Sequence, residues 1–224
     1  NLVTYFNLKD MKELLIIIPA LNEEKTIKKI IQKAKIFGDV LVVNDGSIDK
    51  TKNIAKKNGV SVISHNINLG YDQAINSGLE FFVKKKYKYV ITIDADGQLP
   101  PNYIKSFKKK LKLNADIVCG VRSRVDRIGE KIFIFFSKII WNLQDPLCGM
   151  KGYSFNYIKK FFNRNFFFNS ICTELLIKGK KRKVNITELK INNKIRSDES
   201  RFGSGILTEL KIIFTFFKCL VFGR

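Results

Sequence analysis

Short apolar runs alternate with amphipathic segments along the first half of the chain. The segments between the runs space their apolar residues three and four positions apart, as Glu24–Phe37 does, which predicts helices. This alternation with short connections is typical of an α/β fold, a mostly parallel central sheet with helices on both faces. The runs are rich in β-branched residues and predict buried strands at Leu14–Pro19, Val40–Val43, Val60–Ser64, Tyr89–Ile93 and Ile117–Gly120.

The pattern becomes less regular after Arg122. It predicts a polar loop over Asn192–Gly205 and a final amphipathic helix over Ile206–Phe222. We therefore expect one domain over residues 11–205, followed by a C-terminal helix within residues 206–224 that can associate with a membrane. Before the loop, the predicted helices are Glu130–Leu143, Phe155–Phe162 and Ser170–Lys178, and the predicted strands are Gly149–Ser154 and Val184–Ile191.

The chain is strongly basic. Its 224 residues carry 41 Lys and Arg against 20 Asp and Glu, a formal net charge of +21. Such an excess indicates a negatively charged partner, which can be nucleic acid, an anionic membrane surface or a substrate that carries phosphate. A general drift of the composition towards Lys, Asn, Ile and Phe accounts for part of it.

Cysteine and histidine usage narrows the chemistry. The four cysteines include no C-x-x-C pair, so neither a zinc site nor a disulfide framework is predicted, and a reducing cytoplasm fits best. The single histidine, His65, excludes a histidine-rich metal site, and we expect it at the end of a strand or in a loop.

Two apolar stretches suggest contact with a membrane. Residues 1–13 lack the apolar core of a signal peptide, and no apolar run reaches the ~20 residues of a spanning helix. The stretches 131–141 and 207–222 instead combine apolar residues with lysines, as interfacial helices do. Burial in the core is the other interpretation of both. We expect a cytoplasmic protein, peripheral at the inner face of the membrane.

Polar clusters follow three of the predicted strands. They are residues 19–24, residues 44–47 and the pair Asp94 and Asp96. In an open α/β sheet, ligands bind outside the carboxyl ends of the strands. Helix capping explains one acid per helix but not two acids separated by one residue. Two such carboxylates can bind Mg²⁺ or Mn²⁺ together with substrate phosphates. No Walker loop or Rossmann glycine motif is present.

Four ordered motifs carry a resemblance to a known family. The series IIIPALNEE, VVNDGSIDKT, NINLGYDQAINSG and DADGQLPP resembles glycosyltransferase family 2, inverting enzymes with the GT-A fold, over residues 14–205. The later GVRSR, QDPLCGMKGY and R-x-x-x-S-R are similar to motifs of the polyprenyl-phosphate sugar synthases, a group that includes dolichol-phosphate mannose synthase.

The resemblance implies a sugar donor that carries UDP or GDP and a metal bound by Asp94 and Asp96, with Gln98 nearby. Leu21 departs from the aromatic residue often found at its place in the family, so the identity of the donor's nucleobase stays open. The residues implied for donor binding are Pro19, Ala20, Leu21, Asn22, Glu23, Asp45, Gly46, Gly70, Asp94, Ala95 and Asp96.

The acceptor has alternative interpretations. A sugar hydroxyl of a polysaccharide or glycolipid needs a general base, for which Asp145 and Glu174 are the candidates. A polyprenyl phosphate is already ionised and needs mainly cations, which we prefer here. The predicted phosphate ligands are the arginines Arg122, Arg124, Arg196 and Arg201.

Two further hypotheses concern partners. Many members of the family carry membrane-spanning helices C-terminal to this domain, and a membrane partner protein can take the place of such helices. A basic nucleic-acid-binding protein is the alternative from another class. The lysines spread over the helices and no reading motif appears, so we expect no nucleic-acid partner.

Overall fold

The structure, a computed structural model, describes residues 11–162, 170–195 and 205–222. Within these residues one sheet contains β1 (Lys12–Ala20), β2 (Asp39–Asp45), β3 (Ser61–His65), β4 (Tyr87–Thr92), β5 (Ile117–Arg122), β6 (Lys151–Ser154) and β7 (Ile186–Ile191). The helices are α1 (Ile27–Ala34), α2 (Thr51–Lys57), α3 (Tyr71–Lys85), α4 (Ile104–Lys112), α5 (Ile128–Trp141), α6 (Phe155–Phe161), α7 (Ile171–Lys181) and α8 (Ile206–Phe222). A short 3-10 helix, Pro101–Tyr103, precedes α4.

The sheet has the order β3-β2-β1-β4-β6-β5-β7. Its neighbouring strands are parallel except around β6, which runs antiparallel to both β4 and β5. The predicted α/β fold with a mostly parallel sheet is confirmed. Because β6 is reversed, its first residue lies opposite the last residue of β4, in the pair Thr92↔Lys151. The loop before β6 therefore lies at the carboxyl edge of the parallel strands.

The core lies on both faces of the sheet. Leu15 and Ile17 of β1 pack with α3 and α7 on one face, and Ile16 and Ile18 pack with α1 and α4 on the other. Helices cover β1 and β2 on both faces, which explains why these strands read as continuous apolar runs.

The first helix is shorter than predicted because its expected first turn is held as a loop. Glu24 accepts a hydrogen bond from the backbone N–H of Lys50, and its own N–H donates to Asp49. These bonds join the loop after β1 to the loop after β2, so α1 begins at Ile27 and not at Glu24.

The C-terminal helix α8 has the predicted bounds and packs against α5. Ile212, Phe216 and Cys219 are buried, and Phe216 meets Phe133 and Trp141 of α5 with ring centroids 5.2 and 6.1 Å apart. One face of each helix thus belongs to the core, while the other is exposed. The division into a domain and a separate helix stays a prediction. No helix in the described residues is long and apolar enough to cross a membrane.

Candidate active site

The loops after β1 and β2 are joined into one surface at the carboxyl edge of the sheet. The N–H of Asn22 donates to Ser47 Oγ at 2.9 Å, and Asn22 Oδ1 accepts from the N–H of Ile48 at 2.9 Å. The N–H of Glu23 donates to Thr51 Oγ1 at 2.8 Å. The fold therefore brings together the residues predicted from β1 and from β2, although their sequence positions are more than twenty residues apart.

The carboxylate of Asp45 is buried and forms its hydrogen bonds with other residues of the protein. Its carboxylate accepts hydrogen bonds from the N–H groups of Leu69 and Gly70 at 2.9 and 2.8 Å, and its Oδ1 lies 2.7 Å from Nδ1 of His65. His65 is the last residue of β3, so its expected position at a strand end is confirmed. Asp45 fixes the turn that leads into α3, next to the predicted donor residues Gly46 and Gly70. Its contact with a nucleoside stays a prediction.

Asp94 and Asp96 follow β4, as the motif predicts. Asp94 Oδ1 accepts a hydrogen bond from the Tyr71 hydroxyl at 3.0 Å, and Asp96 Oδ1 accepts one from the N–H of Gln98 at 2.9 Å. Burial and the nearby charge of Asp96 raise the pKa of Asp94 to about 6, against smaller opposing effects of Tyr71 and other neighbours. The two carboxylates therefore repel each other.

This donor set fits a hard divalent cation. Within the described ranges no group of three or more His, Cys, Asp and Glu side chains is arranged to hold a metal. A pair of mutually repelling carboxylates suits Mg²⁺ or Mn²⁺, which bind one or two protein carboxylates and complete their shell with phosphates and water. Gln98 donates from Nε2 to the carbonyl of Lys194 at 3.4 Å, so it links this loop to the segment after β7.

Arg122 and Asp145, predicted for separate roles, are bound to each other. Three groups of Arg122 (backbone N–H, Nε and Nη2) donate to the Asp145 carboxylate at 3.0, 2.8 and 3.0 Å. The Nη1 atom of Arg122 lies 2.9 Å from Glu130 at the start of α5. Asp145 is only 1% exposed. A carboxylate held in this way orients a guanidinium, and it is poorly placed to take a proton from a substrate.

The other predicted acceptor residues lie in different surroundings. Arg124 has an exposed side chain that pairs with Asp126 at 2.6 Å. Glu174 is 1% exposed in α7 and forms an ion pair with Lys178 one turn later. In the described part of the chain no hydrogen bond or ion pair connects Glu174 with Asp94 or Arg122. Arg196 and Arg201 lie outside the described residues.

Two residues that the sequence reasoning missed lie directly against Asp94. Tyr71 reaches it from the first turn of α3, and Gly149 reaches it from the loop before β6. A methyl group on Gly149 would overlap the Asp94 carboxylate. The aromatic residue after Gly70 and the glycine of the C-G-M sequence were the available signals, but only the folded chain shows what they contact.

A substitution at Gly149 should therefore disable the site. We expect Gly149→Ala to lower kcat/KM at least about 100-fold, the scale on which a small misplacement of a catalytic group acts. Steady-state kinetics and the melting temperature should be measured together. Gly59→Ala is the control for a backbone cost alone, because Gly59 has a positive φ of 66° and an added methyl group there would meet only the Lys35 ammonium, at 3.9 Å. Equal activity of the two variants would show that the contact with Asp94 is unimportant.

A comparison with models of protein families identifies the family of this protein. The model of the family "Glycosyl transferase family 2" matches residues 15–167, more than half of the chain. The protein therefore belongs to glycosyl transferase family 2, as the four motifs predicted, and it is a glycosyltransferase.

Solved structures confirm the predicted GT-A fold. Glucosyl-3-phosphoglycerate synthase from Mycobacterium tuberculosis matches with a TM-score of 0.74 and 20% sequence identity, over 96% of this chain and 82% of that chain. That enzyme was crystallised in complex with Mn²⁺, UDP and glucosyl-3-phosphoglycerate. At this identity the similarity shows the fold alone.

Several relatives match over most of their length. An uncharacterised protein of Methanocaldococcus jannaschii is 30% identical over 90% of both chains. The UDP-N-acetylglucosamine–dolichyl-phosphate N-acetylglucosaminyltransferase of Methanococcus voltae is 25% identical over 91% of this chain and 94% of the relative. The dolichyl-phosphate hexose transferase of Haloferax volcanii is 26% identical over 84% and 86%.

Proposed function

We propose that the protein transfers a sugar, with inversion, from a nucleoside diphosphate sugar to a polyprenyl phosphate. The observation that carries the choice of acceptor is the pair of Arg122 and Asp145. The candidate base accepts two hydrogen bonds from the Arg122 guanidinium and one from the Arg122 backbone N–H, so the site offers a fixed cation where a hydroxyl acceptor would need a free base. An ionised phosphate needs that cation and no base. Relatives named as dolichyl-phosphate transferases support the same choice.

Each step has a residue to perform it. Asp94 and Asp96 would hold Mg²⁺ or Mn²⁺, which when bound stabilises the negative charge that develops on the leaving diphosphate. A phosphate oxygen of the acceptor forms the new bond to the anomeric carbon while the bond from that carbon to the diphosphate oxygen breaks. No proton is transferred in this step. Arg122, fixed by Asp145, would bind the acceptor phosphate.

The donor lies against the joined loops after β1 and β2. Pro19, Ala20 and Leu21 lead into that surface, and Asn22 and Glu23 are fixed by the second loop. Asp45 and Gly46 form its other side, with Gly70 beyond them. Either UDP or GDP can supply the base. The M. tuberculosis structure contains UDP, and the M. voltae relative is named for a UDP-linked donor.

A thermal-shift panel tests the donor and the metal together. UDP, GDP, ADP and their glucose conjugates should each be measured with and without Mn²⁺, with duplex DNA as the comparison. We expect a shift for at least one uridine or guanosine compound that depends on Mn²⁺. A ligand at one hundred times its Kd stabilises by about 2.7 kcal/mol, enough to move the melting temperature by several degrees. Stabilisation by DNA alone would favour the nucleic-acid-binding alternative.

We also propose that the protein lies on the cytoplasmic face of an anionic membrane. The outward faces of α5 and α8 form what we call the α5–α8 surface, which is wide and apolar. Such large exposed apolar areas mark sites of membrane or protein contact. Four lysines, Lys131, Lys138, Lys211 and Lys218, stand among its apolar residues and suit an anionic bilayer. The apolar residues, between 38% and 67% exposed, are Ile132, Phe135, Phe136, Ile139, Ile140, Leu210, Phe214 and Phe217.

Vesicle flotation tests this surface. We expect binding to vesicles of phosphatidylcholine with phosphatidylglycerol, weaker binding to phosphatidylcholine alone, and loss of binding in the double variant Phe135→Ser, Phe214→Ser. Ile36→Ser is the control, because Ile36 is 77% exposed but lies after α1. Absence of binding to any vesicle, together with retention on native membranes, would assign the surface to a membrane partner protein.

A further inference from the structure

Lys151 is a buried lysine outside the residues assigned to the donor, the metal and the acceptor. It is the first residue of β6, lies opposite Thr92 of β4 and Cys119 of β5, and is 2% exposed. Its Nζ donates to the carbonyl oxygen of Cys148. The ion pairs of the residues that the structure describes include none with Lys151. Burying an ammonium group without a carboxylate in contact is unfavourable, so its presence needs a reason.

The charges that face Lys151 come from three separate elements. The thiols of Cys119, Cys148 and Cys172 also surround it, but burial raises the pKa of each, that of Cys148 to about 12, so they remain neutral. The negative charges near Lys151 are therefore carboxylates. They are Asp72 in the first turn of α3, Asp94 after β4 and Asp145 before β6. Among the described residues the Lys151 ammonium bonds to the carbonyl of Cys148, and it forms no hydrogen bond or ion pair with any of these three carboxylates.

Lys151 also fixes the turn that supports Asp94. Its ammonium binds the carbonyl of Cys148, while the hydroxyl of Thr92 donates to the carbonyl of Gly149 at 2.8 Å. The backbone N–H of Lys151 donates back to the Thr92 hydroxyl at 3.3 Å. Gly149 in turn lies directly against the Asp94 carboxylate. The Lys151 ammonium and the Thr92 hydroxyl thus donate hydrogen bonds to the two carbonyls of one short turn.

We propose that Lys151 is a positioning residue of the donor site: its ammonium fixes the Cys148–Gly149 turn against Asp94 and supplies a permanent positive charge beneath the place where the metal and the diphosphate bind. This inference rests on the proposed function. A fixed cation at low dielectric attracts the diphosphate without any movement on binding. Its benefit is realised when the donor is bound, which explains why an unfavourable burial is kept.

Three substitutions separate the charge from the hydrogen bond. Lys151→Gln removes the charge but keeps a donor for the Cys148 carbonyl, and Lys151→Met removes both. Thr92→Val keeps the charge but frees the carbonyl of Gly149. We expect affinity for UDP with Mn²⁺, or for GDP with Mn²⁺, to fall at least about 10-fold in Lys151→Gln, further in Lys151→Met, and about 3-fold in Thr92→Val.

Calorimetry and melting temperature should be measured on the same samples. A positioning role predicts weaker nucleotide binding at an unchanged or higher melting temperature, because a buried charge has been removed. A merely structural role predicts the opposite, a lower melting temperature with unchanged affinity. If Lys151→Met does not fold, the other two variants still decide.

The outcomes distinguish this inference from the function on which it rests. If the unmodified protein binds neither UDP nor GDP in the presence of Mn²⁺, the proposed function fails. If it binds one of them and Lys151→Gln binds it equally well, the proposed function stands and the role of Lys151 is refuted.

Discussion

Replacing Asp94 or Asp96 by alanine should reduce sugar transfer by about 10³-fold or more and leave the fold intact. These carboxylates are the two protein ligands of the proposed metal, and losing electrostatic stabilisation of the leaving group costs this much or more in rate. The fold should survive because both residues lie in the loop after β4. Removal of either one also relieves the repulsion that helps to raise the pKa of Asp94, so the melting temperature without metal should stay or rise.

The matched control for these variants is Asp39→Ala. Asp39 begins β2 at the opposite end of the sheet, where it accepts hydrogen bonds from Lys12 and Tyr87. Its loss should reduce stability slightly and leave the rate per folded molecule unchanged. Near-normal activity of both Asp94→Ala and Asp96→Ala in saturating Mn²⁺ would place the metal site elsewhere.

The second large effect should come from the pair of Arg122 and Asp145. For a lipid phosphate acceptor, Arg122→Ala should raise the acceptor KM by about 100-fold with little change in donor binding. Arg122→Lys should recover part of this loss, since it restores the charge but not the bidentate geometry. Asp145→Asn should be milder, because an ionised nucleophile has no proton to give up.

A hydroxyl acceptor would reverse that order. Asp145→Asn would then lower kcat by about 10²–10⁴-fold, the usual contribution of a general base, and the rate of the unmodified enzyme would fall on the acid side of its pH profile. An orienting role for Asp145 does not require such a fall. The kinetic constants and the pH profile together therefore separate the two acceptors.

The sequence also predicts a role for two arginines, Arg196 and Arg201, that lie outside the described residues. Arg196→Ala and Arg201→Ala should each raise the acceptor KM strongly for a lipid phosphate, with donor affinity retained. Arg182→Ala is the matched control, because Arg182 is an exposed arginine at the end of α7 with no assigned role in the site. Activity that survives the loss of both arginines but not of a carboxylate would favour the hydroxyl acceptor.

The order of strands and helices could be predicted because it depends on local periodicity. The bounds of α8 agree with the predicted helix Ile206–Phe222, since this segment has apolar residues at helical spacing. The pair Asp94 and Asp96 could be found because a buried strand immediately precedes it. The reversal of β6 could not, because strand direction is set by pairing with β4 and β5, which are distant in sequence.

The contacts within the site required the folded chain for the same reason. Asp145 and Arg122 were each identified as functional residues, but not as partners, because 23 positions separate them. Lys151 begins the short strand K-G-Y-S, and nothing in that pattern indicates that the lysine is buried. The hydrogen bond from Tyr71 to Asp94 joins a helix start to a strand end, which no local pattern shows.

The most direct test of the proposed function is the identity of the products. The purified protein should be incubated with Mn²⁺, the nucleoside diphosphate glucose that stabilises it, and a short-chain polyprenyl phosphate, and the mixture analysed by mass spectrometry and ³¹P NMR. We expect a sugar-phosphate-lipid diester of inverted anomeric configuration and an equal amount of nucleoside diphosphate. An unmodified lipid phosphate, beside transfer of the sugar to a hydroxyl acceptor under the same conditions, would contradict it.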